Sequence, residues 1–291
     1  MELMLLSIRA VASFGERPLK PTLNTIMYKT TLITGASSGL GLALAQELHQ
    51  QGYKVFGTSR RPQGDINGVR MLKMDVRDEQ SVAQAVQQVL KESGRIDVVI
   101  NNAGIGIAGP LEECAMEHVT QVLDTNVMGV IRVCKAVLPH MRQQGKGQIF
   151  TISSIGARVG LPYRSVYCAS KSAVDLITES LRIETQRFGI QVIGIHAGDI
   201  KTNINAHRIK DYHPDGPYAE SFERAYAIID QEVEEGKPAQ EVARSIARLI
   251  GRRRLHPFYA IGKPLQRLSL FLKRLLPGMW FERIISRYSG V

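Results

Sequence analysis

The 291-residue chain is predicted to fold as a three-layer α/β domain, a doubly wound sheet of seven parallel strands with helices on both faces. Two observations predict it. From Lys29 onward, short apolar runs rich in β-branched residues alternate with longer stretches of helical period, the pattern of parallel strands joined by crossover helices. The first of those runs, moreover, ends in a glycine-rich turn that opens directly into an amphipathic stretch. The strands are placed at 30–34 (TTLIT), 54–59 (KVFGTS), 69–74 (VRMLKM), 97–101 (DVVIN), 147–153 (GQIFTIS), 190–196 (IQVIGIH) and 257–261 (PFYAI). Helical period fills 39–51, 78–93, 114–143, 166–188, 219–235 and 238–251. Hydrophobic residues make up 44% of the chain, enough for one sizeable core. No repeat, low-complexity tract or Pro/Ser-rich linker offers a boundary for a second domain.

Composition excludes several classes of function. No apolar stretch reaches the roughly 18 residues of a membrane span. Residues 1–27 have a short apolar start without a basic flank or a small-residue cleavage pattern, and read as a poorly structured extension or an upstream start. Cys114, Cys134 and Cys168 lack metal-site spacing, which fits a reducing, cytoplasm-like compartment and small buried side chains. The net charge of +10 is unevenly spread: residues 30–251 hold 24 basic and 24 acidic side chains, whereas 252–291 hold 9 and 1. A neutral body with a basic tail is not the profile of a nucleic-acid binder.

The turn after the first strand reads Thr34-Gly35-Ala36-Ser37-Ser38-Gly39-Leu40-Gly41. Glycines let a backbone approach a pyrophosphate, and the helix N-terminus offers free N–H groups to its charge, so this is a Rossmann-type dinucleotide site. Its TGxxxGxG spacing, with Asn101-Asn102-Ala103-Gly104 after the fourth strand and Tyr167-Cys168-Ala169-Ser170-Lys171 further on, resembles the short-chain dehydrogenase/reductase superfamily over residues 28–262. The stretch from Asn101 to Thr202 is similar to the 17β-hydroxysteroid and retinol dehydrogenase branch in particular. By position, the resemblance implies that Gly35, Ser37, Ser38, Gly39, Leu40 and Gly41 line the pyrophosphate and adenosine. Asp75 and Val76 then meet the adenine, Asn102, Ala103 and Gly104 flank the ribose, and Ile200 and Thr202 contact the nicotinamide carboxamide. Ala197 stands where the family usually has proline, so that last turn is less rigid.

Cofactor choice turns on the residues after the second strand, where an acid binds a ribose 2′-hydroxyl and an arginine binds a 2′-phosphate. Here the chain reads Thr58-Ser59-Arg60-Arg61, which predicts NADP(H) over NAD(H), with Arg60 on the phosphate. Hydride transfer leaves the protein the task of moving a proton to or from the carbonyl oxygen. Tyr167 and Lys171 are four apart on one helical face, so the ammonium favours the tyrosinate. The resemblance adds Ser154 as a hydrogen-bond donor to the substrate oxygen, Lys171 on the nicotinamide ribose, and Asn126 as the member that completes a tetrad through a water-linked proton path. His196, at a strand end, reads as a hydrogen-bonded structural residue.

Leu161, Pro162 and Tyr163 form an apolar stretch before the tyrosine, and the resemblance makes it a substrate wall, with Leu161 and Tyr163 in contact. The expected substrate is a hydrophobic alcohol or ketone of steroid, retinoid or acyl type. A loop from 203 to 220 is long enough to act as a lid, and His207, Tyr212, His213 and Tyr218 are candidates both for substrate contact and for ordinary surface positions. In residues 263–291 leucines at helical spacing, then Trp280, Phe281, Ile284 and Ile285, make two amphipathic basic helices. They admit three placements: on an anionic bilayer, against the pocket mouth or a partner subunit, or simply over the domain. The resemblance implies a homodimer or homotetramer through the helices holding Asn126 and Tyr167. A second reading is a non-catalytic NADP(H)-binding regulator that engages a partner with the tail.

Overall fold

The computed structural model describes residues 30–202 and 208–291. Seven strands form one sheet: β1 (Thr30–Ile33), β2 (Lys54–Ser59), β3 (Arg70–Lys73), β4 (Val98–Asn101), β5 (Gly147–Ser154), β6 (Ile190–Ala197) and β7 (Phe258–Ile261). Their spatial order is β7-β6-β5-β4-β1-β2-β3, with every neighbouring pair parallel. The chain therefore winds from β1 towards β3, returns, and continues from β4 in the other direction. At that reversal, between β1 and β4, a crevice opens outside the strand C-termini.

Consecutive residues of β1 serve opposite faces. Leu32 joins a cluster with Phe56, Val99 and Ile149, whereas Ile33 joins one with Leu44, Phe150 and Ile246. Helices α1 (Gly39–Gln50) and α7 (Ala239–Ala247) close the Ile33 side. On the Leu32 side lie α2 (Glu79–Ser93), α4 (Gly129–Gln144) and α5 (Ser165–Thr185). Because both faces are covered, all four side chains of β1 are buried, as expected of a central parallel strand.

The helix expected over 114–143 is broken. The chain forms α3 (Met116–Leu123), a π-helical turn at Asp124–Met128, and then α4. The extra residue of a π turn rotates the side chains that follow, and here it buries Thr125 and Asn126. Two two-residue strand pairs, 200–201 with 237–238 and 107–108 with 209–210, are also too short to leave a period in the sequence. Helix α6 (Ala219–Glu234) comes next, and the tail forms α8 (Pro264–Leu275) and α9 (Gly278–Tyr288). Among the described residues no helix is long and apolar enough to cross a membrane.

Candidate active site

Two turns at the switch point are locked together. The Thr34 hydroxyl accepts from the backbone N–H of Asn102 (3.0 Å) and Ala103 (2.9 Å), while Asn102 Nδ2 donates to the carbonyls of Thr34 and Gly35. Gly35 takes a left-handed φ of +65°, and a Cβ on Gly41 would lie 2.3 Å from the Gly35 carbonyl oxygen. Only glycine fits at Gly41 without moving the backbone. Ser38 caps α1 with extended backbone but its side chain makes no capping hydrogen bond. The first-turn N–H groups, which an α-helix leaves without internal partners, thus face the crevice ready for an anion.

Beyond β2, Arg60 lies exposed near Asp75. The Asp75 carboxylate is bound by Arg77 (Nη2 at 2.8 Å), which holds it below the usual carboxylate range, with Arg60 adding a smaller pull. This end of the crevice therefore carries two guanidinium groups against one carboxylate that is held ionised.

At the other end, α5 starts beside the end of β5 and puts Tyr167 and Lys171 over Ser154. Lys171 is buried and donates from Nζ to the Ile152 carbonyl at 2.9 Å. Burial pulls its ammonium down to about 8, partly opposed by the charge of Asp175 one turn later. Burial raises the Tyr167 hydroxyl, and its hydrogen bond with Ser154 and the charges of Arg208 and Arg164 work against that rise. Ser154 Oγ accepts from Gly156 N–H at 3.0 Å, which leaves its own proton to act as a donor, here towards the Tyr167 oxygen. Asn126, aimed inward by the π turn, holds both backbone groups of Ile105 at 2.9 Å and donates to Ser170 Oγ at 3.0 Å. Ser153, buried on the same strand, donates to the Lys171 carbonyl, and His196 bonds Asp175 at 2.7 Å while stacking on Phe258.

One cavity of about 560 Å³ joins both ends. Gly35, Ser37, Ser38, Gly39, Leu40, Gly41, Arg60, Asp75, Val76, Asn102, Ala103, Gly104, Ile200 and Thr202 line it, as do Ser154, Leu161, Tyr167 and Lys171. Tyr163 is different. Its backbone is left-handed (φ +59°), and its ring packs edge-on against Phe222 with its hydroxyl 2.6 Å from Ser221, away from the cavity. In the loop, His207 lies outside the described residues. Tyr212 stacks on Phe222 and bonds Glu223, and His213 is tied through its backbone to Glu113. Neither they nor Tyr218 line the cavity.

Sequence reasoning missed several polar side chains of the cavity lining, among them Arg164, Arg208, Glu232, Gln266 and Tyr288. Arg164 alone had a signal, three residues before Tyr167 on the same helical face. Tyr288 donates to Glu232, whose carboxyl is pushed up by burial, and Arg164 lies 3.9 Å away. The free cysteines are inert by environment, with burial pushing the Cys134 thiol up to about 12. Among the described residues no group of His, Cys, Asp and Glu is placed to hold a metal.

An open helix N-terminus beside a glycine cradle, leading to a tyrosine, lysine and serine at one cavity floor, defines a nicotinamide-dependent oxidoreductase. The chain belongs to the short chain dehydrogenase family, which matches residues 29–213. It is therefore an enzyme acting on CH–OH groups or the matching carbonyls with NAD(P)(H), rather than a non-catalytic scaffold. A 3-ketodihydrosphingosine reductase of Bacteroides thetaiotaomicron is 44% identical over 251 residues, covering 84% of this chain and 92% of the relative. Human 17-beta-hydroxysteroid dehydrogenase type 1 is 40% identical over 187 residues, 59% of this chain and 56% of its own. Among solved structures, a short-chain dehydrogenase from Streptomyces avermitilis superposes with a TM-score of 0.73 at 28% identity, covering 86% of this chain and 93% of that one. ElxO with NADP bound gives 0.68 at 27% identity, covering 81% and 97%.

Proposed function

We propose that this enzyme reduces the ketone of a hydrophobic, long-chain substrate with NADPH, Tyr167 acting as the general acid, and runs in reverse on the secondary alcohol. The observation that carries this reading is the set Ser154, Tyr167 and Lys171 at the floor of a cavity whose far wall is apolar: Leu265, Leu272, Phe281, Ile284 and Ile285. A long acyl chain suits that wall, and the 3-ketodihydrosphingosine reductase relative supports it by name, over nearly its whole length.

When bound, the cofactor supplies the hydride. Ser154 donates a hydrogen bond to the substrate oxygen and so fixes the carbonyl beside the Tyr167 hydroxyl. Tyr167 gives up its proton to that oxygen, and the nearby Lys171 ammonium stabilises the tyrosinate left behind. Asn126, by clamping Ile105, holds the π turn and the Asn102–Gly104 loop in register with α5.

The pH dependence follows from Lys171. Its ammonium is lost as pH rises through about 8, so kcat/KM for ketone reduction should fall above that pH in the free enzyme. Stability moves the opposite way: between about 8 and the ordinary lysine value of 10.5 the unfolded chain holds a proton that the folded chain lacks, and folding strengthens as pH rises. A reduction rate that stays flat to pH 10 would detach Lys171 from the chemistry.

Arg60, with no acid at the end of β2, selects the 2′-phosphate. Loss of a charge-assisted contact of this kind is worth about 10–100-fold, so Arg60→Ala should raise the KM for NADPH by that factor and leave that for NADH unchanged. Steady-state kinetics with both cofactors test it; equal efficiency with NADH in the parent enzyme would sink the preference. The same reading makes the enzyme a cytoplasmic homodimer or homotetramer. Leu123, Met128, Leu176 and Ile183 support the association of subunits, because they expose apolar surface on and between α3 and α5.

A further inference from the structure

The tail helices carry apolar side chains on two sides, one lining the cavity and one facing solvent. On α8, the inward positions include polar Gln266 and Ser269, which line the cavity with Leu272. Outward stand Leu268, Phe271 and Leu275, which are 46, 49 and 63% exposed. On α9, Phe281 is buried while Met279 and Trp280 are 68 and 65% exposed. Polar latches on the inner side hold this arrangement. Gln266 bonds Asp199, Tyr288 donates to Glu232, and Lys263 meets Glu235 at 3.3 Å. A helix whose only task was to shield the pocket would bury its leucines and aromatics rather than present them to solvent.

Around that apolar surface stand Arg267, Lys273, Arg274, Arg283 and Arg287, all exposed and none in a salt bridge with a described residue. Glu282 is the only acid from 263 to 291. A second copy of the chain fits this patch poorly, because a two-fold contact would set one group of five cations against another. Leu265 and Ile284 line the cavity and are exposed as well, so these two side chains join the cavity lining to the same surface.

We propose that the outer face of α8 and α9 docks on an anionic lipid bilayer, and that the ketone passes from the bilayer into the cavity between the two helices. Apolar and aromatic side chains enter the acyl boundary while the cations meet lipid headgroups. The lipid-to-cavity route rests on the long-chain reading given above; the docking surface does not.

Sedimentation of the full chain with vesicles of phosphatidylcholine, with and without phosphatidylglycerol, tests the surface. Binding is expected with the anionic vesicles, weakened by 0.5 M salt, and reduced about tenfold or more in Phe271→Ser/Trp280→Ser and in Arg274→Glu/Arg283→Glu. None of these four residues lines the cavity. Turnover of a short, water-soluble ketone should therefore match the parent, while turnover of a long-chain ketone held in anionic vesicles falls with binding. Equal sedimentation of parent and variants, or a change of oligomeric state in the variants without vesicle binding, overturns the proposal. Absence of turnover on every ketone, with vesicle binding intact, would instead remove the reductase reading and leave the docking surface standing.

Discussion

Tyr167→Phe should lower turnover by about a thousandfold, the scale of a lost general acid, while NADPH binds as before. The substitution removes one hydroxyl and keeps the ring. That hydroxyl's partner, Ser154, keeps its bond from Gly156 N–H, and because it lines the cavity and is only partly buried its own O–H is not sealed away without an acceptor. Lys171 keeps its bond to the Ile152 carbonyl and stays in place. Thermal melting and cofactor titration should therefore match the parent, and only the chemical step should suffer. Residual activity above about a tenth of the parent would mean that the proton comes from another group, because even modest general-acid contributions exceed that factor.

Gly41→Ala should cost NADPH affinity about a hundredfold without unfolding the chain. An added Cβ meets the Gly35 oxygen at 2.3 Å and Asn102 Nδ2 at 2.4 Å, both part of the locked pair of turns. Overpacking of this kind costs roughly 1–3 kcal/mol. Alanine in a helix regains about 1 kcal/mol over glycine, so the net cost to the fold is about 0–2 kcal/mol, which a stable domain survives. The cradle does not, since the turn must open where a pyrophosphate would lie. Fluorescence titration with NADPH beside a melting curve separates the two effects. Affinity within twofold of the parent would show that this turn does not form the cradle.

The strands and the reactive set were legible because their signals are local and repeated. All seven expected strands form, displaced by at most a residue at their ends, since a buried parallel strand writes itself as a short apolar run. Tyr167 and Lys171 were legible as a helical pair, and the structure brings Ser154 to them. What stayed hidden depends on geometry that has no period. Nothing in Asp124-Thr125-Asn126-Val127-Met128 announces a π turn; the extra residue is drawn in by Asn126 satisfying both backbone groups of Ile105, twenty-one residues away. Tyr163 belongs to the apolar stretch before the tyrosine, but its left-handed backbone, which has no sequence signal, turns the ring onto α6. Arg208 and Glu232 reach the cavity from separate elements, so no spacing joins them. In the tail, helical period gave two amphipathic helices but not which face would be latched inward, because that is decided by Asp199, Glu232 and Glu235 on the body.

The most direct test of the central claim is isotope transfer. Purified enzyme is incubated with NADPH deuterated at the transferring position of the nicotinamide and with a long-chain ketone, and the product is analysed by mass spectrometry. One deuterium at the new carbinol carbon, formed by the parent and absent with Tyr167→Phe, is the predicted result. Failure to consume NADPH with long-chain ketones, or an equal yield of labelled alcohol from Tyr167→Phe, would contradict it.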